Sequence, residues 1–197
     1  MKKFLFFFLP ILVLASCTQN SKQDSSSVEQ KPKLIDSTFL EFASNFELLE
    51  FPVFMGNQNF LKKNKIQINI LRVIEDDFLH QYLKMDSLPE ENIYYVGQLP
   101  MRDSVFFLIN FFEIKGKYPS QWWTLNKFSY YGELISETQL AYNAYDGVEL
   151  HQRMCKIDNN YQSNTLNITG RFDEKSQIIT DTAISTRIVN LLLPEPE

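Results

Sequence analysis

Between Asn92 and Leu192 the sequence breaks into strand-length runs at 93–99, 104–114, 121–128, 134–142, 149–157, 164–172, 177–182 and 184–192. They are rich in β-branched and aromatic residues. Turn-forming residues separate several of them: Tyr131-Gly132-Glu133, Asp146-Gly147 and Asp158-Asn159-Asn160. Short runs of this kind, joined by a few turn residues, read as consecutive antiparallel strands, a meander. The run 105–109 is apolar without alternation, which predicts a strand covered on both faces. Leu166, Ile168, Gly170 and Phe172 alternate with Asn167, Thr169 and Arg171, which predicts one wet face. No internal period marks a propeller or solenoid.

Upstream the pattern is helical. Phe39, Phe42, Ala43, Phe46 and Leu49 recur at helical spacing, predicting an amphipathic helix over 38–49 that ends before Pro52. Thr38 and Glu41 fit a capping box, with Asp36 and Ser37 as alternative caps. Residues 50–64 read as irregular, with Gly56-Asn57 as a turn. Ile66, Ile68 and Ile70 alternate with polar residues, as in a short strand. A second short helix is expected at 75–84, where Glu75, Asp76 and Asp77 suit the positive end of the helix dipole. The fold class is therefore α+β: one or two N-terminal helices packed on an antiparallel β-meander sheet.

The leader narrows the setting. Met1-Lys2-Lys3 is followed by an uncharged apolar run from Phe4 to Leu14, interrupted by Pro10. This is too short to span a bilayer, which takes about 20 apolar residues. It has the charged and apolar regions of a secretion signal. Leu14-Ala15-Ser16-Cys17 then resembles a lipobox, the motif read in bacterial lipoprotein maturation. The resemblance implies cleavage of residues 1–16 and lipid attachment at Cys17, so the chain would meet its membrane through lipid. Several acyl chains on one cysteine hold far better than one, since each buried methylene contributes about 0.8 kcal/mol.

Residues 17–33 carry Val28 as the one large apolar residue, so they read as the lipidated cysteine and a flexible tether with a reach on the order of 50 Å. A single globular domain over 34–193 and a frayed tail over 194–197 complete the plan. The order of elements is similar to that of envelope lipoproteins common in Bacteroidota, with an aromatic-x-x-Gly turn at Phe128-Ser129-Tyr130-Tyr131-Gly132. That resemblance implies a compartment and an architecture, and transfers no active-site residue. Thr18 follows the lipidated cysteine, and the first acid is Asp24. These positions favour an outer-membrane lipoprotein facing the periplasm over one exported to the cell surface.

Loss of the leader removes two lysines and leaves 17 basic against 24 acidic residues, a net charge of −7. An acidic surface disfavours nucleic acid as a partner. With Cys17 lipidated, Cys155 has no intrachain partner and reads as a buried thiol rather than a reactive one.

No constellation of reactive residues stands out. Asp76 and His80 share an i, i+4 helix face that would let both meet one metal, but Asp77 lies off it. His151 and Cys155 would share a strand face roughly 13 Å apart, too far for a thiolate pair. No serine sits in a Gly-x-Ser-x-Gly context. Glu90-Glu91 and Asp76-Asp77 are adjacent carboxylates, and chain neighbours point apart. Asn167-Ile168-Thr169 matches a glycosylation sequon by composition alone. No catalytic residue, metal ligand or cofactor is assigned.

The aromatic cluster remains. Trp122 and Trp123 are adjacent, so on a strand they face opposite sides. One must enter the core, and the other is either covered or free to stack on a glycan or a protein partner. Trp122, Trp123, Tyr130 and Tyr131 are the candidate binding aromatics. The function expected is a non-catalytic interaction module of the cell envelope. An inhibitor or immunity-type lipoprotein and a hydrolase of envelope polymers are the alternatives.

Overall fold

The computed structural model describes residues 34, 36–56, 72–85, 91–173 and 178–193, with backbone alone at 91, 172 and 178. The leader, Cys17, the tether, Asn57, the Ile66–Ile70 alternation, Glu90 and the 194–197 tail lie outside the described residues. Within them, α1 (Ser37–Ser44) is followed by β1 (Val53–Met55) and α2 (Asp76–Phe78), which runs on as a π-helical turn (Leu79–Leu83). Then come β2 (Glu91–Arg102), β3 (Val105–Ile114), β4 (Ser120–Ser129), β5 (Leu134–Tyr145), β6 (Glu149–Ile157), β7 (Gln162–Asp173) and β8 (Ile178–Asn190). Strands β2 to β8 form one antiparallel sheet in sequence order, and β1 pairs with β6. The fold is α+β, mostly antiparallel sheet with few helices.

Local chemistry sets the turns. At the β2–β3 hairpin Asp103 and Ser104 both have positive φ, 51° and 60°, the two-residue geometry that matches strand twist. Asp146 Oδ1 accepts from the Glu149 and Val148 amides, at 2.7 and 2.9 Å, closing the β5–β6 turn. Those bonds hold its carboxyl below the usual range. Asp158 does the same for Asn160 and Gln162 in the β6–β7 turn.

Helix α1 is capped by Asp36, whose Oδ1 accepts from the Thr38 amide at 2.9 Å. It ends at Ser44, five residues before the end expected from periodicity. The chain leaves the helix to pair with the edge of β2: Gln98 donates to the Glu47 carbonyl and Leu49 donates to the Gln98 carbonyl, both at 2.8 Å. Leu49 lies so close to Gly97 that a Cβ there would meet it at 2.5 Å, which fixes glycine at that position. Two further expectations change. The 50–64 stretch holds a strand, β1, and the two C-terminal runs are one continuous strand, β8.

The central strands β3 and β4 are buried on both faces. One face gathers Phe39, Phe42, Phe46, Leu79, Tyr82 and Leu83 with Tyr95, Leu108, Phe112 and Phe128. The other gathers Phe107, Phe111, Trp123 and Leu125 with Val53, Met55, Cys155, Ile157, Tyr161 and Leu191. The second cluster requires the sheet to curl, bringing β1, the end of β6 and the residues flanking β7 and β8 over β2–β4. Tyr161 secures the closure. Its hydroxyl donates to the Pro100 carbonyl, and its ring lies 5.1 Å from Phe107. The curl opens the β5–β6 pairing, which covers Tyr142↔Arg153 to Tyr145↔Leu150 and no further, and β1 takes up Cys155–Ile157 instead.

Candidate functional site: the outer face and free edge of the β6–β8 hairpins

The curl decides which face of β7 is inside. Ser163 and Thr165 point into the core, Ser163 with 2% of its surface exposed, and the Ser163 hydroxyl lies 3.3 Å from the Cys155 thiol. Leu166 and Ile168 stand on the opposite face, half-buried. Burial alternates over 161–165, where Ser163 and Thr165 are buried and Gln162 and Asn164 exposed, whereas Leu166 to Thr169, where the sequence predicts the alternation, are all half-buried, so the aliphatic residues do not form the buried face. Ser163 and Thr165 are turned inward by their register with Ile157 and Cys155, which belong to the core cluster with Met55.

The outward aliphatic residues line up across strands. Leu166 is paired with Met154 on one side and Thr186 on the other, and Ile168 is paired with Ile184. Ile188 is paired with Asn164, next to Lys156 and Phe54. Phe54, Met154, Lys156, Leu166, Thr186 and Ile188 line a shallow hollow of about 420 Å³. Ile184 and Ile188 are 66% and 67% exposed and stand on the same face as the hollow.

The edge beside this face is open. Among the described residues β8 pairs with β7 alone. Asp181, with φ 50°, sits at a register shift that bends the start of the strand. From Ala183 to Asn190 the register with β7 is unbroken. An edge row of amides and carbonyls is a ready template for another strand, and sheets ordinarily blunt it with charge, proline or bulges. Over 183–190 the one charged side chain is Arg187. The β2 edge, by contrast, is covered by Leu48 and by Arg72–Ile74.

The structure separates the candidate aromatics. Trp123 is buried against Phe111, with ring centroids 4.7 Å apart. Trp122 is half-buried and stacks flat on Phe112 at 5.2 Å, beside the helix-side cluster. Tyr130 and Tyr131 are exposed in the β4–β5 turn, edge-on to each other at 5.9 Å. Trp123 is thus a core residue, Trp122 keeps part of its surface exposed, and Tyr130 and Tyr131 are exposed.

The other sequence candidates do not converge. His80 is exposed beside Asp77, and among the described residues no three His, Cys, Asp or Glu side chains gather for a metal. His151 meets Glu149 at 3.4 Å. The Cys155 thiol is pushed up to about 11 by burial, the opposite of what a nucleophile needs. Asn167 accepts from Arg153 Nε at 2.7 Å, so its carboxamide belongs to the strand ladder.

Compared with known proteins, the chain matches no family model, no curated protein and no solved structure.

Proposed function

We propose that this chain is a lipid-anchored lipoprotein of the cell envelope whose domain is a non-catalytic interaction module, taking an extended segment of another envelope protein as an added strand on β8. The observation that carries the reading is the unbroken 183–190 edge, flanked by the exposed Ile184 and Ile188. Strand addition takes its affinity from main-chain hydrogen bonds and its specificity from pockets for alternate side chains. The hollow between Phe54, Leu166 and Ile188 lies on the face where every second residue of an added strand would project. In this reading the leader and Cys17 supply the address, and α1 and α2 are the N-terminal cover of the sheet's other face.

The test places a photo-crosslinking residue at Ile184 in cells and maps the adduct by mass spectrometry. The expected result is one extended segment of an envelope protein, lost when Ile188→Lys is introduced. Capture of no envelope protein, or labelling unchanged by Ile188→Lys, overturns the proposal.

The mature charge of −7 favours one further form of this reading, an inhibitor whose acidic surface steers it to a basic target. Association with such a target would slow steeply as salt is added.

A further inference from the structure

On the concave face of the curled sheet, opposite Ile184 and Ile188, a small notch of about 120 Å³ lies between β5 and the inner rows of β6–β8. Two arginines line it, Arg153 from β6 and Arg187 from β8, together with Thr138, Ser163 and Thr165. We infer that this notch is a binding site for a compact oxyanion, a single carboxylate or phosphate group.

Four observations converge. First, neither arginine forms an ion pair with an acid among the described residues, so neither charge is met within the notch. Acids are not scarce, at 24 against 19 bases, yet no acid lines the notch, which is otherwise formed by Thr138, Gln139, Ser163, Thr165 and Val189.

Second, Arg153 is held in place. Its Nε donates to Asn167 Oδ1 at 2.7 Å, its Nη1 donates to the Gln139 carbonyl at 3.2 Å, and its guanidinium lies 4.9 Å from the Tyr142 ring centroid. A guanidinium carries five N–H donors, so donors remain for a ligand after these contacts. Arginine held in one orientation suits carboxylate and phosphate because it can meet two oxygens at once.

Third, the notch is sheltered: Thr138, Ser163 and Thr165 are all buried, and the Thr165 hydroxyl, donating to the Arg187 carbonyl at 3.1 Å, ties down the backbone that carries Arg187. Fourth, the volume is well under the roughly 300 Å³ at which small-molecule pockets begin. The recess therefore admits one anionic group, either free or at the end of a larger molecule. The site does not depend on strand addition at β8, because Arg187 projects from the opposite face to Ile184 and Ile188.

The test follows thermal melting of the full chain in sodium phosphate and in sodium acetate, each against sodium chloride at equal ionic strength. Phosphate or acetate is expected to raise the midpoint in a saturable manner that chloride does not reproduce. A response to acetate alone assigns the site to carboxylates, and a response to phosphate alone assigns it to phosphates. Arg187→Gln, an exposed change on an edge strand, is expected to weaken the apparent affinity at least fivefold while leaving the chloride midpoint in place. Arg153→Lys keeps the charge and loses the fork, and is expected to weaken it as well. Lys115→Gln, away from the notch, should titrate as the unmodified chain does. Equal responses in the unmodified chain and Arg187→Gln, equal losses in Lys115→Gln, or no response to either anion would overturn the site.

Discussion

The Phe39 ring of α1 lies directly on the backbone of Gly132 in the β4–β5 turn. A Cβ added to Gly132 would stand 2.7 Å from the Phe39 Cγ, and the residue has φ 83°. Space and backbone conformation both require glycine here. Gly132→Ala is expected to lower stability by about 2 to 4 kcal/mol, from the strained φ and overpacking together. Phe39→Ala, which empties a fully buried position, should cost about 3 to 5 kcal/mol. Chemical denaturation followed by circular dichroism reads both. A Gly132→Ala midpoint within error of the parent would show that the turn can shift away from α1.

Asn110 and Asn126 lie on neighbouring strands, β3 and β4, on the face that carries Leu108, Phe112 and Phe128, both with 0% exposure. Among the described residues, neither the carbonyl oxygen nor the amide nitrogen of either side chain has a hydrogen-bond partner. A buried polar group left unpaired costs about 1 to 3 kcal/mol, so apolar groups of the same shape should do better. Asn110→Leu and Asn126→Leu are expected to raise the denaturation midpoint, each by at least about 1 kcal/mol of stability. A loss of stability in both variants would mean that the carboxamides have partners in solution, such as buried water.

The meander was readable in the sequence because strand period and turn chemistry are local. Asp146-Gly147 and Asp158 terminate strands by bonding amides two to four residues away, and no distant contact is needed. The extent of α1 was not readable, because its end is set by Gln98 on a strand fifty residues downstream. The inner face of β7 was hidden for a similar reason. Alternation of Leu166 and Ile168 with polar neighbours marks two faces, but the packing of Cys155 and Met55 decides which one is buried. Arg153 and Arg187 are 34 positions apart and carry no mutual spacing signal. Only the register through Asn167 and Thr165 brings them to one notch.

Burial of Cys155 makes stability depend on alkaline pH. Its thiol is pushed from an ordinary 9.0 up to about 11, chiefly by burial. The unfolded chain releases this proton near pH 9, while the folded chain keeps it to about 11. The contribution is therefore fully present below pH 9 and is lost as pH rises through 11, by about 3 kcal/mol at 1.36 kcal/mol per pH unit. Tyr82, pushed up to about 12 by burial and by its bond to Asp36, extends the loss to higher pH. Denaturation midpoints from pH 8 to 11 should fall, and Cys155→Ala should flatten the part between 9 and 11. In a Cys17→Ser chain, a thiol reagent at pH 8 should label Cys155 on unfolding and not before.

The β8 edge gives a prediction about solubility that needs no partner. Over 183–190 the strand pairs with β7 alone among the described residues and carries β-branched residues and a single charge, the features that template association of like strands. Ile184 and Ile188 both face outward, so lysine at either position keeps its charge in water and leaves the core untouched. Ile184→Lys/Ile188→Lys is therefore expected to change folding stability by no more than about 0.5 kcal/mol per site. It should also slow concentration-dependent association of the purified, unlipidated domain, because an added strand would have to bring lysines against lysines or against the apolar hollow. Light scattering over a concentration series at fixed salt measures this. Arg187→Ile, which removes the one charge on the same stretch, should shift association the other way. If both variants aggregated as the parent does, the β8 edge would not be the surface that meets other strands. The covered β2 edge, with Leu48 and Arg72–Ile74 lying along it, could not take that role without unpairing those residues.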